Sequence, residues 1–217
     1  VTDTQNVLNA IHEVFRDVYK KYDDSTLSKA FEDCNRLFDG QYPGYLPCDT
    51  LYHDKQHTLD MTLALARFIN GHERSVANAN KIGPERALIA VITALYHDSG
   101  YIRSKYDSKH YNGAEYTLSH VSRSAKFLAR YFQQLGMNEA AKISSQMVHY
   151  TGYEIAPDKI VLPDQKLHIA GHMLGSADLM AQMSDRCYLE KCRDRLYPEF
   201  VIGGLAVQND KDGNEKV

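Results

Sequence analysis

Tryptophan is absent from this chain of 217 residues, and cysteine is sparse: Cys34, Cys48, Cys187 and Cys192 are the four it has. No two of them show the CxxC spacing of zinc ribbons or redox pairs, so reduced thiols of a cytosolic protein are the expectation. No stretch approaches the ~20 consecutive apolar residues of a membrane span. The opening residues, Val1-Thr2-Asp3-Thr4-Gln5, carry neither a basic nor an apolar leader region, so no signal peptide is expected and a cytoplasmic location is. Excess positive charge is missing as well: 25 Lys and Arg against 28 Asp and Glu give a formal net charge of −3. That balance offers no field to a nucleic-acid polymer and favours a small phosphorylated partner held by a few local cations. Internal repeats and strand-like alternation are not seen, which argues against solenoids and β-sandwiches.

What is present is helical periodicity over an apolar content of 43%, enough for a core. Val7, Leu8, Ile11, Val14, Phe15 and Val18 trace one face of a first helix. A second begins at Thr26 and stops at Asp39-Gly40, and a Pro- and Gly-containing loop follows to Cys48. Asp49 or Thr50 can cap a third helix, which would carry His53 and His57 and run through Ile69. Pro84 opens a fourth, apolar from Ala87 to Tyr96, with Ser99-Gly100 as its stop. A fifth is expected from about Gly113 to Leu135 and a sixth from an Asn138 cap to His149. A seventh begins at Asp164 and an eighth spans about Asp185 to Tyr197. The expected fold is an all-α bundle of about eight helices. Residues 1–48 form an N-terminal flank, 49–200 the domain that carries the chemistry, and 201–217 a tail that should be disordered from Gln208.

Chemistry-bearing residues concentrate at a few points. His97-Asp98 closes the fourth helix, where buried polar groups cost free energy unless something pairs them. A divalent cation does so well, since imidazole nitrogen and carboxylate oxygen are both good ligands. Upstream, His53 and His57 are four apart, a spacing that could chelate one ion or set one ligand beside one proton donor. Downstream lie His120, His149 and Asp178. Small residues precede Asp178 in Gly175-Ser176-Ala177, which suits a close approach, and Asp185 and Asp194 compete weakly with it. His72, His168 and His172 read as surface or structural. Lys55, Arg103, Lys105 and Lys109 are the candidate cations for a substrate phosphate. Several of the 15 tyrosines, among them Tyr52, Tyr96, Tyr101, Tyr150 and Tyr153, flank these positions and could wall a ring or fill the core.

The ordered set His57, His97-Asp98, His120, His149, Asp178 resembles the HD superfamily of metal-dependent phosphohydrolases over roughly residues 50 to 185. The segment Tyr52-His53-Asp54-Lys55-Gln56-His57-Thr58-Leu59-Asp60 is similar to the signature of its cyclic-nucleotide phosphodiesterase branch. The resemblance implies that His57, His97, Asp98, His120, His149 and Asp178 bind one or two divalent ions such as Mn, Fe or Mg, with Asp98 bridging. His120 in His-Val-Ser-Arg-Ser-Ala matches a family pattern, with His110 as its rival. The implied activity is cleavage of a phosphoester of a nucleotide or other small molecule by a metal-activated water. His53 would protonate the leaving oxygen, and Asp54 or Glu115 would orient a histidine. Tyr101 stands where the phosphodiesterase branch has another histidine, and only 39 residues follow Asp178, so cyclic-nucleotide hydrolysis is not the expected specific activity. The superfamily also contains di-iron oxygenases, and a non-catalytic nucleotide-binding sensor module is the remaining alternative. A homodimer is left open.

Overall fold

A computed structural model describes residues 3–209 and 215–216. Val1 and Thr2, part of the N-terminus discussed above, lie outside it, as do 210–214 and 217. The described chain is all-α. Seven helices come first: α1 Thr4–Val18, α2 Asp24–Phe38, α3 Lys55–Ser75, α4 Pro84–Leu95, α5 His120–Gln134, α6 Asn138–Met147 and α7 Gln165–Met183. An eighth is interrupted: Tyr188–Lys191, a π-helical turn Cys192–Leu196 and Tyr197–Ile202 follow one another without a gap.

The helix starts obey local chemistry. Asp3, Asp23 and Asp164 each accept a backbone N–H of the first turn of α1, α2 and α7, which satisfies one of the donors a helix leaves free. Pro84 occupies the first turn of α4, with Glu85 beside it at the positive end of the helix dipole. α4 is the central element, and every residue from Ala87 to Leu95 is buried. The other helices bury one stripe each against it or against one another, such as Val7, Leu8, Ile11 and Phe15 of α1. α1 and α2 contribute to the same continuous core as α3 to α7, so the N-terminal flank packs on the segment that carries the histidines. Arg86 of α4 donates twice to Asp164 (3.0 and 2.6 Å) and ties the start of α4 to the start of α7.

Several boundaries differ from the sequence expectation. α3 starts at Lys55, not near residue 50, because Asp54 takes an extended conformation and caps it by accepting from the His57 N–H at 2.9 Å. His53 therefore precedes the helix and does not share a helical face with His57. α4 ends at Leu95, which leaves His97 and Asp98 on the turn behind it. Residues Gly113–Tyr116 form a 3-10 turn, and α5 begins at His120. The last helix reaches Ile202, so Val201 and Ile202 belong to it and not to a tail. Gln208 and Asn209 pair antiparallel with Lys216 and Glu215 in a two-residue ladder; the residues between them fall outside the description.

Candidate metal centre

The turn after α4 puts His97 and Asp98 at the bottom of the bundle core, 1% and 3% exposed. Gly100, two residues on, lets this turn pass close to the start of α5: a Cβ there would lie 1.9 Å from the carbonyl oxygen of His120. The Gly100 N–H donates to Ser124 Oγ at 2.8 Å, and Arg123 Nε donates to the Gly100 carbonyl at 2.6 Å. The 97–101 turn and the first residue of α5 are thereby locked together.

Four side chains converge there. The ligand atoms of His57, His97 and Asp98 all lie within 4.8 Å of one another. His97 Nε2 is 3.1 Å from Asp98 Oδ2, and His57 Nε2 is 3.5 Å from the same oxygen. Asp178 Oδ1, delivered by α7, is 3.1 Å from His57 Nε2 and 3.8 Å from His97 Nε2. Ligand atoms about 2.1 Å from a shared ion sit roughly 3 to 3.4 Å apart, so these spacings suit one cation. His97 Nε2 and Asp98 Oδ2 are buried without a hydrogen-bond partner. Each such group ordinarily costs about 1–3 kcal/mol, which a native core avoids unless something else satisfies it. His97 Nδ1 donates to the Ala94 carbonyl at 2.8 Å, which fixes the ring with Nε2 directed at the cluster. The donor set and its orphaned atoms fit a divalent cation.

The other oxygen of Asp98 faces a different histidine. His120 Nε2 is 3.9 Å from Asp98 Oδ1, and its Nδ1 donates to the Thr117 carbonyl at 2.7 Å, again freeing Nε2. Asp98 thus stands between two groups of imidazoles. His149 is buried, but its Nδ1 has no hydrogen-bond partner and its nearest acid is Glu154, at 4.0 Å. No contact within that distance joins His149 to Asp98. His110 pairs with Asp107 (2.9 Å) on the loop after the His-Asp turn and takes no part in the cluster.

Charge within the cluster is mutually supported. Burial disfavours ionised Asp98, but His97, His53 and His57 outweigh it and hold the carboxyl well below its usual range. Asp178 is also lowered: burial opposes, and His57 and His97 prevail. His97 is pushed up to about 9, since Asp98 and Asp178 overcome the penalty of burial. His120 moves the other way, lowered chiefly by burial.

His53 occupies the rim. Its Nδ1 lies 2.5 Å from Glu199 Oε2, and Glu199 also accepts the Tyr52 N–H through Oε1 at 2.5 Å. Burial opposes the charged ring, but Asp98, Glu199 and Asp178 raise the His53 pKa on balance. The Tyr101 ring stacks on His53 (4.4 Å between centroids) and on His120 (4.4 Å). Glu199 is the residue at this cluster that the sequence reading missed. It sits in Tyr197-Pro198-Glu199-Phe200, far from every histidine in the chain, and its only signal was an acid among apolar residues of a terminal helix. The acids expected to orient a histidine serve elsewhere: Asp54 caps α3, and Glu115 accepts the N–H groups of Tyr111 and Asn112.

The small residues before Asp178 also have another use. Gly175 meets the backbone of Tyr150, where a Cβ would lie 2.4 Å from its carbonyl oxygen. At Gly175 the close approach is between α7 and residue 150. Among the expected phosphate cations, Lys55 donates to Asn35 and Asp39 at 2.8 Å each. Arg103 donates twice to Asp49 and once to the His110 carbonyl. Lys105 and Lys109 are exposed on the loop. The cations that line the cleft beside His57 are instead Lys191 and Arg195.

Among the described residues no helix is long and apolar enough to cross a membrane. Searches against family models, curated proteins and solved structures returned no match.

Proposed function

We propose that this chain is a metal-dependent phosphohydrolase acting on a nucleotide or another small phosphorylated molecule. The observation that carries the reading is the pair of buried, unpartnered atoms His97 Nε2 and Asp98 Oδ2, facing Asp178 Oδ1 at 3.8 Å and His57 Nε2 at 3.5 Å. His57, His97, Asp98 and Asp178 would hold one divalent ion, and His120 would face a second through the other oxygen of Asp98. A bound divalent ion supplies an acidified water and neutralises charge on the non-bridging phosphoryl oxygens.

The chain's own residues supply the rest. Without a bound ion Asp98 and Asp178 keep their negative charge in a buried place because the imidazoles around them repay the burial, and a divalent ion would take over that role. Glu199 fixes His53 by its Nδ1 and favours the imidazolium, so Nε2 can deliver a proton to a leaving alkoxide. Tyr101, packed on both His53 and His120, keeps those rings in place and shields the donor from water.

The test is a screen of nucleotides, cyclic nucleotides and phosphomonoesters with the purified protein loaded with Mn²⁺ or Fe²⁺, run with and without oxygen. Phosphate release without oxygen, lost in Asp98→Ala, is expected. Oxygen-dependent C–C or C–P cleavage without ester hydrolysis would move the assignment to a di-iron oxygenase. Full metal occupancy with no turnover of any kind would leave a sensor module.

A further inference from the structure

The interrupted last helix is held to the bundle by a polar contact and not by the core. Of residues 184–207 only Glu199 is buried. No apolar side chain beyond Ala181 belongs to the core or packs on it, and Met183, Leu189, Tyr197, Ile202 and Leu205 are exposed. Past the junction with α7, the hydrogen bonds that join this segment to the rest of the described chain both end on the Glu199 carboxylate. It accepts from the Tyr52 N–H and from His53 Nδ1, at 2.5 Å each. The far end of the helix rests on the 3-10 turn Gly113–Tyr116. There a Cβ on Gly203 would lie 2.4 Å from Thr117 Oγ1 and 2.8 Å from the Ala114 carbonyl oxygen. A segment with so little buried apolar contact opens at a much lower cost than a core helix does. The π-helical turn Cys192–Leu196 also breaks the regular hydrogen-bond ladder between the α7 junction and Glu199.

The same segment passes over the rim of the metal centre. Tyr188, Lys191 and Arg195 help wall the cavity beside His57, whose volume of about 20 Å³ has room for about one water. His57, His97 and Asp98 are themselves buried. We propose that residues 185–204 form a strap across this rim, latched by Glu199 on Tyr52 and His53, and that the strap swings aside to admit ions and substrate to the metal centre. The proposal rests on the phosphohydrolase reading for what passes; the latch stands on the geometry alone. Release breaks two hydrogen bonds to one carboxylate and lifts Gly203 from Thr117, and it uncovers no part of the core. It also parts His53 from its acid, so the rim histidine is held for proton delivery only while the strap is shut.

The experiment pairs hydrogen-exchange mass spectrometry of the metal-free chain with stopped-flow kinetics of Mn²⁺ uptake and of Mn²⁺ release to a chelator. Wild type is compared with Glu199→Ala, which removes the latch, and with Gly203→Ala, which pushes the far end off its turn. In the wild type the amides of residues 188–202 should exchange about tenfold or more faster than those of α4. Either variant should speed them by about a further tenfold and leave α4 unchanged. A gate changes the path and not the end states, so Mn²⁺ uptake and release should quicken together, with the equilibrium affinity kept. Glu199→Gln, which retains an acceptor for the Tyr52 N–H, should fall between. Wild-type exchange in residues 188–202 as slow as in α4 would overturn the proposal. So would variants that loosen the strap with neither rate altered, or that speed release alone at the expense of affinity. A wild type that takes up no Mn²⁺ would sink the metal-dependent reading and the gate together; Mn²⁺ uptake at rates indifferent to both variants would sink the gate alone.

Discussion

Glu199 Oε2 lies 2.5 Å from His53 Nδ1, although the two residues are 146 positions apart in the chain. This contact brings the last helix onto the loop before α3 and gives a rim histidine a buried acid, 1% exposed, as its partner. If His53 is the proton donor, Glu199 is its positioning residue. Glu199→Gln should keep a hydrogen bond but remove the charge that favours the imidazolium. The alkaline limb of the kcat/KM profile should then move to lower pH, and turnover at pH 8 should drop by about tenfold, a part of the roughly 10²–10⁴-fold that a positioned general acid contributes. Metal content should not change. A pH profile identical to wild type would remove Glu199 from the mechanism.

Arg103 and Lys55 should behave as structural residues. Arg103→Ala leaves Asp49 Oδ2 and the His110 carbonyl without the guanidinium and should cost about 1–3 kcal/mol in urea unfolding. Lys55→Ala breaks a half-exposed pair with Asp39 and should cost at most about 1 kcal/mol. Neither should change KM for a phosphorylated substrate. A selective rise in KM for either variant would return that residue to the binding site.

Gly175→Ala tests the packing that delivers Asp178. The added Cβ would meet the Tyr150 carbonyl at 2.4 Å, a backbone atom that cannot swing aside. Overpacking of this kind typically costs about 1–3 kcal/mol. Because Asp178 lies one turn further along α7, metal affinity should fall along with stability. Wild-type unfolding midpoint and wild-type affinity together would show that α7 can shift freely at this point.

Metal loading should be linked to protons. In the metal-free chain His97 is pushed up to about 9: burial opposes its charge, but Asp98 and Asp178 prevail. At pH 7 the ring is therefore protonated and must release a proton before Nε2 can bind a cation. Mn²⁺ affinity should rise with pH up to about 9 and then level off, and titration in buffers of different ionisation enthalpy should detect the released proton. The same shift sets stability without metal. Raised above the ordinary 6.5, His97 stabilises the fold fully below that value and loses the effect as pH climbs through about 9. Asp98, lowered from 3.8, contributes above that value and loses its effect on acidification. Melting temperatures in chelator should accordingly peak between about 4 and 6.5 for these groups. A flat Mn²⁺ affinity from pH 6 to 9 would contradict the linkage.

Most of the bundle was legible because amphipathic stripes and caps are local. The apolar face of α1, Pro84 at the head of α4 and the Asp164 cap of α7 are written within a few residues of where they act. The meeting of His57, His97, Asp98 and Asp178 was expected from an ordered motif and is brought about by three elements packed on one core. What failed to show was non-local. Asp54 read as an acid that could orient a histidine, and only the extended backbone before Lys55 makes it the cap of α3. Gly175 read as suiting a close approach of Asp178 to an ion, and the sequence did not show that the Tyr150 backbone also lies against it. Glu199 carried no pattern because its partners are Tyr52 and His53, at the other end of the domain.

The most direct test is metal analysis of the purified protein, wild type beside His97→Ala and Asp98→Ala, after saturation with Mn²⁺ or anaerobic Fe²⁺ and removal of loose ions. One to two equivalents per chain in the wild type, falling below about a tenth in both variants while their helical spectra persist, is the predicted result. A wild-type chain that retains no more metal than the variants would contradict the account at its root.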